Sequence, residues 1–222
     1  MNKPNKVSDL ATQFIKKNDP TGWFEELYSQ AEGDSGQIPW AKSRVNVHLA
    51  DWLSKNNVKG EGKKALVVGC GLGDDAEALA EVGYQVTAFD ISSSAIAWCQ
   101  QRFSQSSVNY VVSDASKPEP SWQNQYDFVL ESYTLQALPE FLRQQIMTTI
   151  AHYLAVGGML LIICRGRNIQ EDAGVSPPWA LTKEELSFFE ELKLKQISFD
   201  DYLDRNKPPI RRFRITYVKP DE

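Results

Sequence analysis

A short apolar run that ends in three closely spaced glycines constrains the fold of this chain more than any other feature. Val67 and Val68 close the run, and residues 69–74 read Gly-Cys-Gly-Leu-Gly-Asp. Such a run is typical of a parallel strand that is buried on both faces. Glycines let the backbone turn sharply and approach a ligand closely. The sequence therefore predicts a strand, a tight loop and a helix, with a ligand site at the loop.

The segments after this loop alternate between strand and helix patterns. Strands are predicted at 65–68, 84–89, 108–112, 126–130, 159–164, 193–202 and 211–218, and helices at 74–82, 92–103, 140–155 and 181–192. The alternation requires crossover connections and favours a parallel, doubly wound sheet. The last two strands have no room for a helix between them, so an antiparallel pairing is expected there. The predicted fold is an α/β, Rossmann-like sheet of seven strands, mostly parallel with an antiparallel last strand.

Composition and charge narrow the class of protein. The 222 residues are 42% hydrophobic and 24% charged, which is typical of a globular domain. The net charge of −5 is a poor match for a phosphate backbone, so no nucleic-acid partner is expected. No apolar run approaches the roughly 20 residues of a membrane span, and no signal-peptide core is apparent. The three scattered cysteines predict free thiols and therefore a cytoplasmic location. Because the two histidines are far apart and no two cysteines are closely spaced, no metal site is expected.

Two classes of cofactor compete for the glycine loop. A dinucleotide fingerprint has its third glycine at position 74, where this chain has an aspartate that would repel a pyrophosphate. Asp90 ends the second predicted strand, where a carboxylate can accept hydrogen bonds from both hydroxyls of a ribose. Ile91 beside it can pack on a purine, and Asp114 after the third strand can accept from an adenine amino group. These strand ends suit a positively charged nucleoside better than a phosphorylated one.

Five segments occur in a characteristic order over roughly residues 60–165: VVGCGLGDD, TAFDIS, VVSDAS, YDFVLES and LAVGGMLLIICR. Together they resemble the class I S-adenosylmethionine-dependent methyltransferases. The segments GWFEELYSQAEGDSGQIPWAKSR and CRGRNIQEDAGVSPPWALTKEEL are similar to the thiopurine, tellurite and halide/thiol methyltransferase group. Arg44 and the long loop between Trp23 and Trp40 depart from that group, so the substrate does not follow from the resemblance.

The resemblance implies one methyltransferase domain over 1–222, in which residues 1–58 form a helical N-terminal lid and 59–222 the catalytic core. Helices are expected in this lid at 7–18, from Asp19-Pro20 to about Ser29, and from Ser43. S-adenosylmethionine is the expected cofactor. The expected partner is a small-molecule methyl acceptor, with no nucleic acid and no membrane, and the chain is expected to be a monomer or weak dimer.

The predicted site residues lie in the lid and at the strand ends. Those expected to bind the cofactor are Trp40, Gly69, Cys70, Gly71, Gly73, Asp90, Ile91, Asp114, Ala115 and Glu131. Those expected to bind the acceptor are Tyr133, Arg165, Arg167 and Trp179. Trp40 would face the sulfonium through cation–π attraction, whereas Trp23 is expected to pack within the lid. Packing accounts equally well for Tyr133 and Trp179. For Arg165 and Arg167 the alternative is a solvated charge paired with Glu171 or Asp172. Arg211, Arg212 and Arg214 are expected to protect an exposed sheet edge.

The acceptor decides whether a base is needed. A thiol, chalcogen oxyanion or halide is already a good nucleophile, whereas an oxygen or amine acceptor requires a base such as Glu131, Glu171 or Tyr133. No catalytic residue is assigned. Two other functions stay open: a nicotinamide-dependent oxidoreductase, and a non-catalytic cofactor-binding module of the same fold. The missing glycine at position 74 counts against the first, and the retained glycines and Asp90 against the second.

Overall fold

A seven-stranded sheet forms the centre of the computed structural model, which describes residues 6–221. The strands are β1 (Lys64–Val68), β2 (Gln85–Asp90), β3 (Asn109–Val112), β4 (Tyr126–Ser132), β5 (Leu154–Arg165), β6 (Lys195–Leu203) and β7 (Arg211–Val218). Their order across the sheet is β3-β2-β1-β4-β5-β7-β6. Strands β1 to β5 pair in parallel, and β7 runs antiparallel between β5 and β6. The predicted fold class is confirmed.

Helices cover both faces of this sheet. Between residues 6 and 221 they are α1 (Lys6–Lys16), α2 (Gly22–Gln30), α3 (Val47–Lys55), α4 (Asp74–Glu81), α5 (Ser93–Arg102), α6 (Glu140–Tyr153), α7 (Lys183–Leu186) and α8 (Phe188–Glu191). The single helix predicted at 181–192 is thus two short helices that meet at Ser187. No helix of the described range is both long enough and apolar enough to cross a membrane.

The core consists of apolar clusters on the two faces of the sheet. On one face, α6 packs against β4 and β5 through residues such as Ile150 and Ile162. On the other face, α3, α4 and α5 pack against β1 and β4 through residues such as Leu49 and Val67. A separate cluster joins α1 and α2 to Leu72 of the glycine loop. The N-terminal helices therefore pack over the loop that follows β1.

Two predicted helix starts in the N-terminal segment are wrong. α2 begins at Gly22 rather than Pro20, because the Asp19 carboxylate accepts the backbone N–H of Gly22 at 2.9 Å. α3 begins at Val47 rather than Ser43, because Ser43 has a φ of +49° that a right-handed helix does not allow. The chain between α2 and α3 is therefore a long loop that contains one short 3-10 helix, Ser35–Gln37.

The prediction that three arginines protect a sheet edge is also wrong. Arg211, Arg212 and Arg214 lie on β7, and the edge strand is β6. Arg212 and Arg214 are each only 7% exposed. Their guanidinium groups are paired with Asp204 and Asp200, each at 2.8 Å. The charged side chains of Arg212 and Arg214 are therefore buried within the sheet and do not protect its edge.

Candidate active site

The loop after β1 has a positive φ angle at three positions, and glycine adopts such angles with the least steric strain. Gly69, Gly71 and Gly73 have φ values of +60°, +54° and +88°. A Cβ on Gly69 would clash with the Thr134 side chain, and one on Gly73 would lie 2.6 Å from the Tyr110 hydroxyl. The side of the loop that faces Thr134 and Tyr110 is therefore tightly packed, and the loop leads directly into α4.

Asp90 lies at the carboxyl end of β2, beside this loop. Its Oδ2 accepts the backbone N–H of Gly71 at 2.9 Å, and its Oδ1 accepts that of Ser92 at 3.0 Å. A carboxylate has about four acceptor positions, so roughly two remain free. The side chain is held in a fixed orientation and is 6% exposed, and this burial raises the pKa of Asp90 above its ordinary value. The free positions suit a pair of adjacent hydroxyl donors such as those of a ribose.

A cavity of about 420 Å³ lies where the ends of β2 and β3 face the turn between α1 and α2. Ile91 and Asp114 both line it. The Asp114 carboxylate accepts from the Ser116 hydroxyl at 2.7 Å and pairs with Lys117 at 3.3 Å. Ala115 packs instead against the apolar cluster on the α6 face. The structure therefore brings Ile91 and Asp114 to one cavity next to Asp90.

Cys70 of the glycine loop is half-buried, and its thiol is not activated. A hydrogen bond with the Cys99 thiol and burial raise the pKa of Cys70 well above its ordinary value. The Cys99 thiol in turn lies 3.1 Å from the carbonyl oxygen of Gly71. A thiol in this state is a small neutral side chain, because nucleophilic attack requires the thiolate.

Tyr28 of the N-terminal segment lies against the loop, and Trp40 contacts Tyr28. The Tyr28 hydroxyl would lie 3.0 Å from a Cβ on Gly71, and it accepts a hydrogen bond from Trp40 Nε1 at 2.9 Å. Trp40 is 39% exposed and stands edge-on to the buried Trp23, with ring centroids 6.0 Å apart. Trp23 is a packing residue, as predicted. Tyr28 was not predicted from the sequence. The one feature that could have indicated it is a tyrosine hydroxyl among the apolar residues of α2.

The Glu25 side chain connects α2 to the start of α5 through hydrogen bonds. This residue was also not predicted from the sequence. Its carboxylate accepts from the Ser92 hydroxyl at 2.8 Å, the Ser94 hydroxyl at 2.6 Å and the Ser94 backbone N–H at 3.1 Å. Burial acts to raise the pKa of Glu25, but the serine hydrogen bonds outweigh it and lower the pKa. An anion at a helix N-terminus is also stabilised by the helix dipole. This contact connects α2 to the start of α5, two residues beyond Asp90.

Glu131 lies at the carboxyl end of β4 and is fully buried. Its Oε1 accepts the backbone N–H groups of Thr134 at 2.7 Å and Leu135 at 2.9 Å. Its Oε2 has no hydrogen-bond partner among the described residues. Burial raises the pKa of Glu131 to about 7. At neutral pH the protonated and ionised forms of the Glu131 side chain are therefore present in comparable amounts.

The predicted acceptor residues divide into two groups. The Tyr133 ring lies 5.1 Å from the Arg212 guanidinium, and Arg212 is the cross-strand partner of Arg165. Arg167 instead donates to the carbonyl of Ala180 at 2.8 Å and takes part in the ion pairs of Glu185. Trp179 lies beside Arg143, which also pairs with Glu185. The structure therefore brings Arg165 to Tyr133, and places Arg167 and Trp179 around the Glu185 carboxylate.

Comparison with known proteins agrees with this architecture. Residues 65–158 match the family model described as a methyltransferase domain. Comparison with curated proteins found no match. An S-adenosylmethionine-dependent methyltransferase from Methanosarcina mazei is similar with a TM-score of 0.66 and 21% identity, over 76% of this chain and 98% of that chain. The 1,6-didemethyltoxoflavin-N1-methyltransferase of Burkholderia thailandensis has a TM-score of 0.67 and 19% identity, over 88% of each chain.

A third similar structure, the [4+2]-cyclase SpnF, has a TM-score of 0.66 and 17% identity, over 79% of this chain and 81% of that chain. At such identities the structural matches establish the fold, and one fold supports several reactions. The family match over residues 65–158 agrees with the resemblance to methyltransferases that the sequence motifs carry. None of these matches bears on the narrower thiopurine, tellurite and halide/thiol group, which stays a prediction.

Proposed function

We propose that this chain, whose residues 65–158 match the family model of a methyltransferase domain, transfers the methyl group of S-adenosylmethionine to a small-molecule nucleophile. The observation that carries the proposal is the pairing of the Asp90 carboxylate with the Gly71 amide. It orients two free acceptor positions at the end of β2, beside a tight glycine loop. That arrangement suits a nucleoside whose ribose is bound at Asp90.

The residues of the site fit this cofactor in detail. Asp90 would accept from the ribose hydroxyls, and Ile91 and Asp114 would contact the adenine from the adjoining cavity. The Trp40 ring would face the positively charged sulfur through cation–π attraction. Bound S-adenosylmethionine supplies an activated methyl group. The residues of the chain orient the cofactor and the acceptor and exclude water.

The start of α4 argues against a dinucleotide. Its first turn carries three acids, Asp74, Asp75 and Glu77. Asp74 is paired with Arg102 at 2.9 Å, so that arginine is already engaged. A pyrophosphate binds best at a helix N-terminus that has free N–H groups and no acids. This charge pattern favours the methyl-transfer proposal over a nicotinamide-dependent oxidoreductase.

The proposed acceptor is a thiol, a chalcogen oxyanion or a halide, because none of the three candidate bases is suited to accept a proton from it. Burial raises the pKa of Tyr133 to about 12, which keeps its hydroxyl protonated. Glu131 has a pKa of about 7, but its side chain is 0% exposed, so an acceptor cannot contact its carboxyl in this structure. The Glu171 carboxylate is occupied by the backbone and side chain of Asn168, at 2.7 Å and 2.9 Å. An acceptor that already carries a reactive lone pair needs none of these groups.

The proposed lid comprises residues 1–58, of which the structure describes the part from residue 6. Trp40→Ala should reduce kcat about 5- to 30-fold, because the half-exposed ring contributes cation–π attraction of about 1–2 kcal/mol at the sulfonium. Its melting temperature should change little, since the ring is 39% exposed. The measurement is steady-state methyl transfer alongside thermal unfolding.

Trp122→Ala provides the matched control for Trp40. The Trp122 ring packs against Phe89 and Tyr153 in the core, with centroids at 5.3 Å and 5.6 Å. This variant should lose stability and keep normal turnover per folded molecule. If Trp40→Ala showed that same pattern, Trp40 would be a packing residue and would have to be removed from the site.

The proposed function is tested by transfer of a labelled methyl group from S-adenosylmethionine to a panel of acceptors at neutral pH. The panel contains thiols, tellurite, halides, amines and carboxylates. We expect product with thiols, tellurite or halides, and none with amines. A wild-type protein that binds the cofactor but methylates no member of the panel would support a non-catalytic binding module instead.

A further inference from the structure

We propose that the methyl acceptor carries an anionic oxygen group, such as a carboxylate, and that Arg165 and Arg212 bind it together. The two arginines lie where β5 ends and β7 begins, at the same edge of the sheet as the glycine loop. This inference rests on the proposed function and narrows the acceptor of that same site to one with an anionic oxygen group, which a bare halide lacks. It assigns a role to Arg212, which sequence analysis placed at an exposed sheet edge.

The first observation is the register of the two strands. Arg165 is directly opposite Arg212 in the antiparallel pair of β5 and β7. Side chains that are directly opposite share a face of the sheet, with Cβ atoms about 4.5–5.5 Å apart. Like charges in this position destabilise a sheet. Two facing arginines at the ligand-binding edge therefore indicate a site that needs both positive charges.

The second observation is that these charges are incompletely balanced. Asp204 accepts from Arg212 Nε at 2.8 Å and also accepts the backbone N–H groups of Asn206 and Ile210. The guanidinium of half-buried Arg165 makes no hydrogen bond or ion pair with any residue in the range 6–221. One carboxylate thus faces two guanidinium groups. Burial, together with the charge of Arg212, lowers the pKa of Arg165, as expected for a desolvated cation that lacks an anion.

The third observation is the orientation of Arg212. Its guanidinium lies 5.1 Å from the centroid of the Tyr133 ring. Stacking on an aromatic ring, together with the Asp204 contact at Nε, holds the planar group in place. Such a group has N–H donors in its plane that match the two oxygens of a carboxylate. Arg165 adds a second guanidinium from the opposite strand.

The position of the pair points to the acceptor rather than to the cofactor. β1, which leads into the glycine loop, is separated from β5 by β4. Adjacent strands are about 4.8 Å apart, so the arginines of β5 and β7 lie roughly 10–15 Å across the sheet from the loop. An acceptor anchored there by its anionic group would extend its nucleophile back toward the loop, past Tyr133 at the end of β4.

The probes are 4-sulfanylbenzoate and its neutral amide, 4-sulfanylbenzamide, which differ only in the anionic group. Both are assayed as methyl acceptors. Both are also titrated by calorimetry into protein saturated with S-adenosylhomocysteine, a readout that needs no turnover. The variants are Arg165→Gln, Arg212→Lys and, as a matched control, Arg211→Gln. Arg211 lies next to Arg212 on the strand and pairs with Asp201 at 2.7 Å.

Wild type should prefer the acid over the amide by about tenfold or more in kcat/KM and in affinity, as expected for a charged hydrogen bond. Arg165→Gln should raise KM for the acid roughly 10- to 100-fold and leave the amide within about twofold. Arg212→Lys should also lose the preference for the acid over the amide, because lysine keeps the positive charge but lacks the planar guanidinium with its paired N–H donors. Arg211→Gln should behave as wild type, and Arg165→Gln should melt no lower than wild type.

Three results would overturn the inference. Equal use and equal binding of acid and amide by wild type would show that no anion site exists. A lower melting temperature of Arg165→Gln with unchanged preference would show a structural role. Weaker binding of S-adenosylhomocysteine by Arg165→Gln would show that the pair holds the carboxylate of the cofactor. Failure of wild type to bind S-adenosylhomocysteine at all would instead overturn the proposed function, and this inference with it.

Discussion

Asp90→Ala should weaken the binding of S-adenosylmethionine by about 10- to 150-fold. A hydrogen bond to a charged group contributes about 1.5–3 kcal/mol, and Asp90 is the residue proposed to accept from the ribose. The variant should also lose some stability, because the backbone N–H groups of Gly71 and Ser92 lose their acceptor. Calorimetric titration of the folded variant measures the affinity, and urea unfolding measures the stability.

Asp127→Ala separates the two effects of the Asp90 substitution. The Asp127 carboxylate likewise accepts a backbone N–H, that of Lys64 at 2.8 Å, but at the start of β1 and so at the opposite end of the strand from the glycine loop. This control should lose stability and keep its cofactor affinity. If Asp90→Ala folded and bound the cofactor as tightly as wild type, Asp90 would have to be removed from the site.

Glu131→Gln should change how the stability of the protein depends on pH. The pKa of Glu131 is raised from its ordinary 4.5 to about 7 by burial. The folded state therefore holds a proton that the unfolded state releases between those two values, so Glu131 makes wild type progressively less stable as the pH rises through this window. The free energy of unfolding of wild type relative to Glu131→Gln should fall by about 2–3 kcal/mol from pH 5 to pH 8.

Urea unfolding at pH 5, 6.5 and 8 measures this difference directly. Glutamine keeps an oxygen that can accept from Thr134 and Leu135, so the folded backbone is not expected to change. The exposed Glu191, at the end of α8, provides a control in Glu191→Gln, whose difference from wild type should stay constant with pH. A difference between wild type and Glu131→Gln that is also constant would show that Glu131 ionises normally in the folded protein.

The parts of the fold that depend on local patterns were predictable from the sequence. The apolar run before Gly69 and the spacing of the glycines identify β1, its loop and α4 without reference to other segments. The short connection before Arg211 identifies an antiparallel end to the sheet. Each of these signals depends on residues that are close in the sequence, and each has a simple steric cause.

The contacts that assemble the site were not predictable, because they depend on strand order and on the docking of the N-terminal segment. Arg212 looks like an edge charge until β7 is known to lie between β5 and β6. Its position opposite Arg165 then follows from the register of the sheet. Glu25 reaches Ser94 only because α2 packs over α5, and no local pattern in the sequence records that contact.

Calorimetric titration of the wild-type protein with S-adenosylmethionine, S-adenosylhomocysteine and NAD tests the central claim most directly. The glycine loop, the free acceptor positions of Asp90 and the acids at the start of α4 all favour a positively charged nucleoside over a pyrophosphate. We expect saturable binding of S-adenosylmethionine and of S-adenosylhomocysteine, and no heat of binding with NAD. Tight binding of NAD without binding of S-adenosylmethionine would contradict the proposed function.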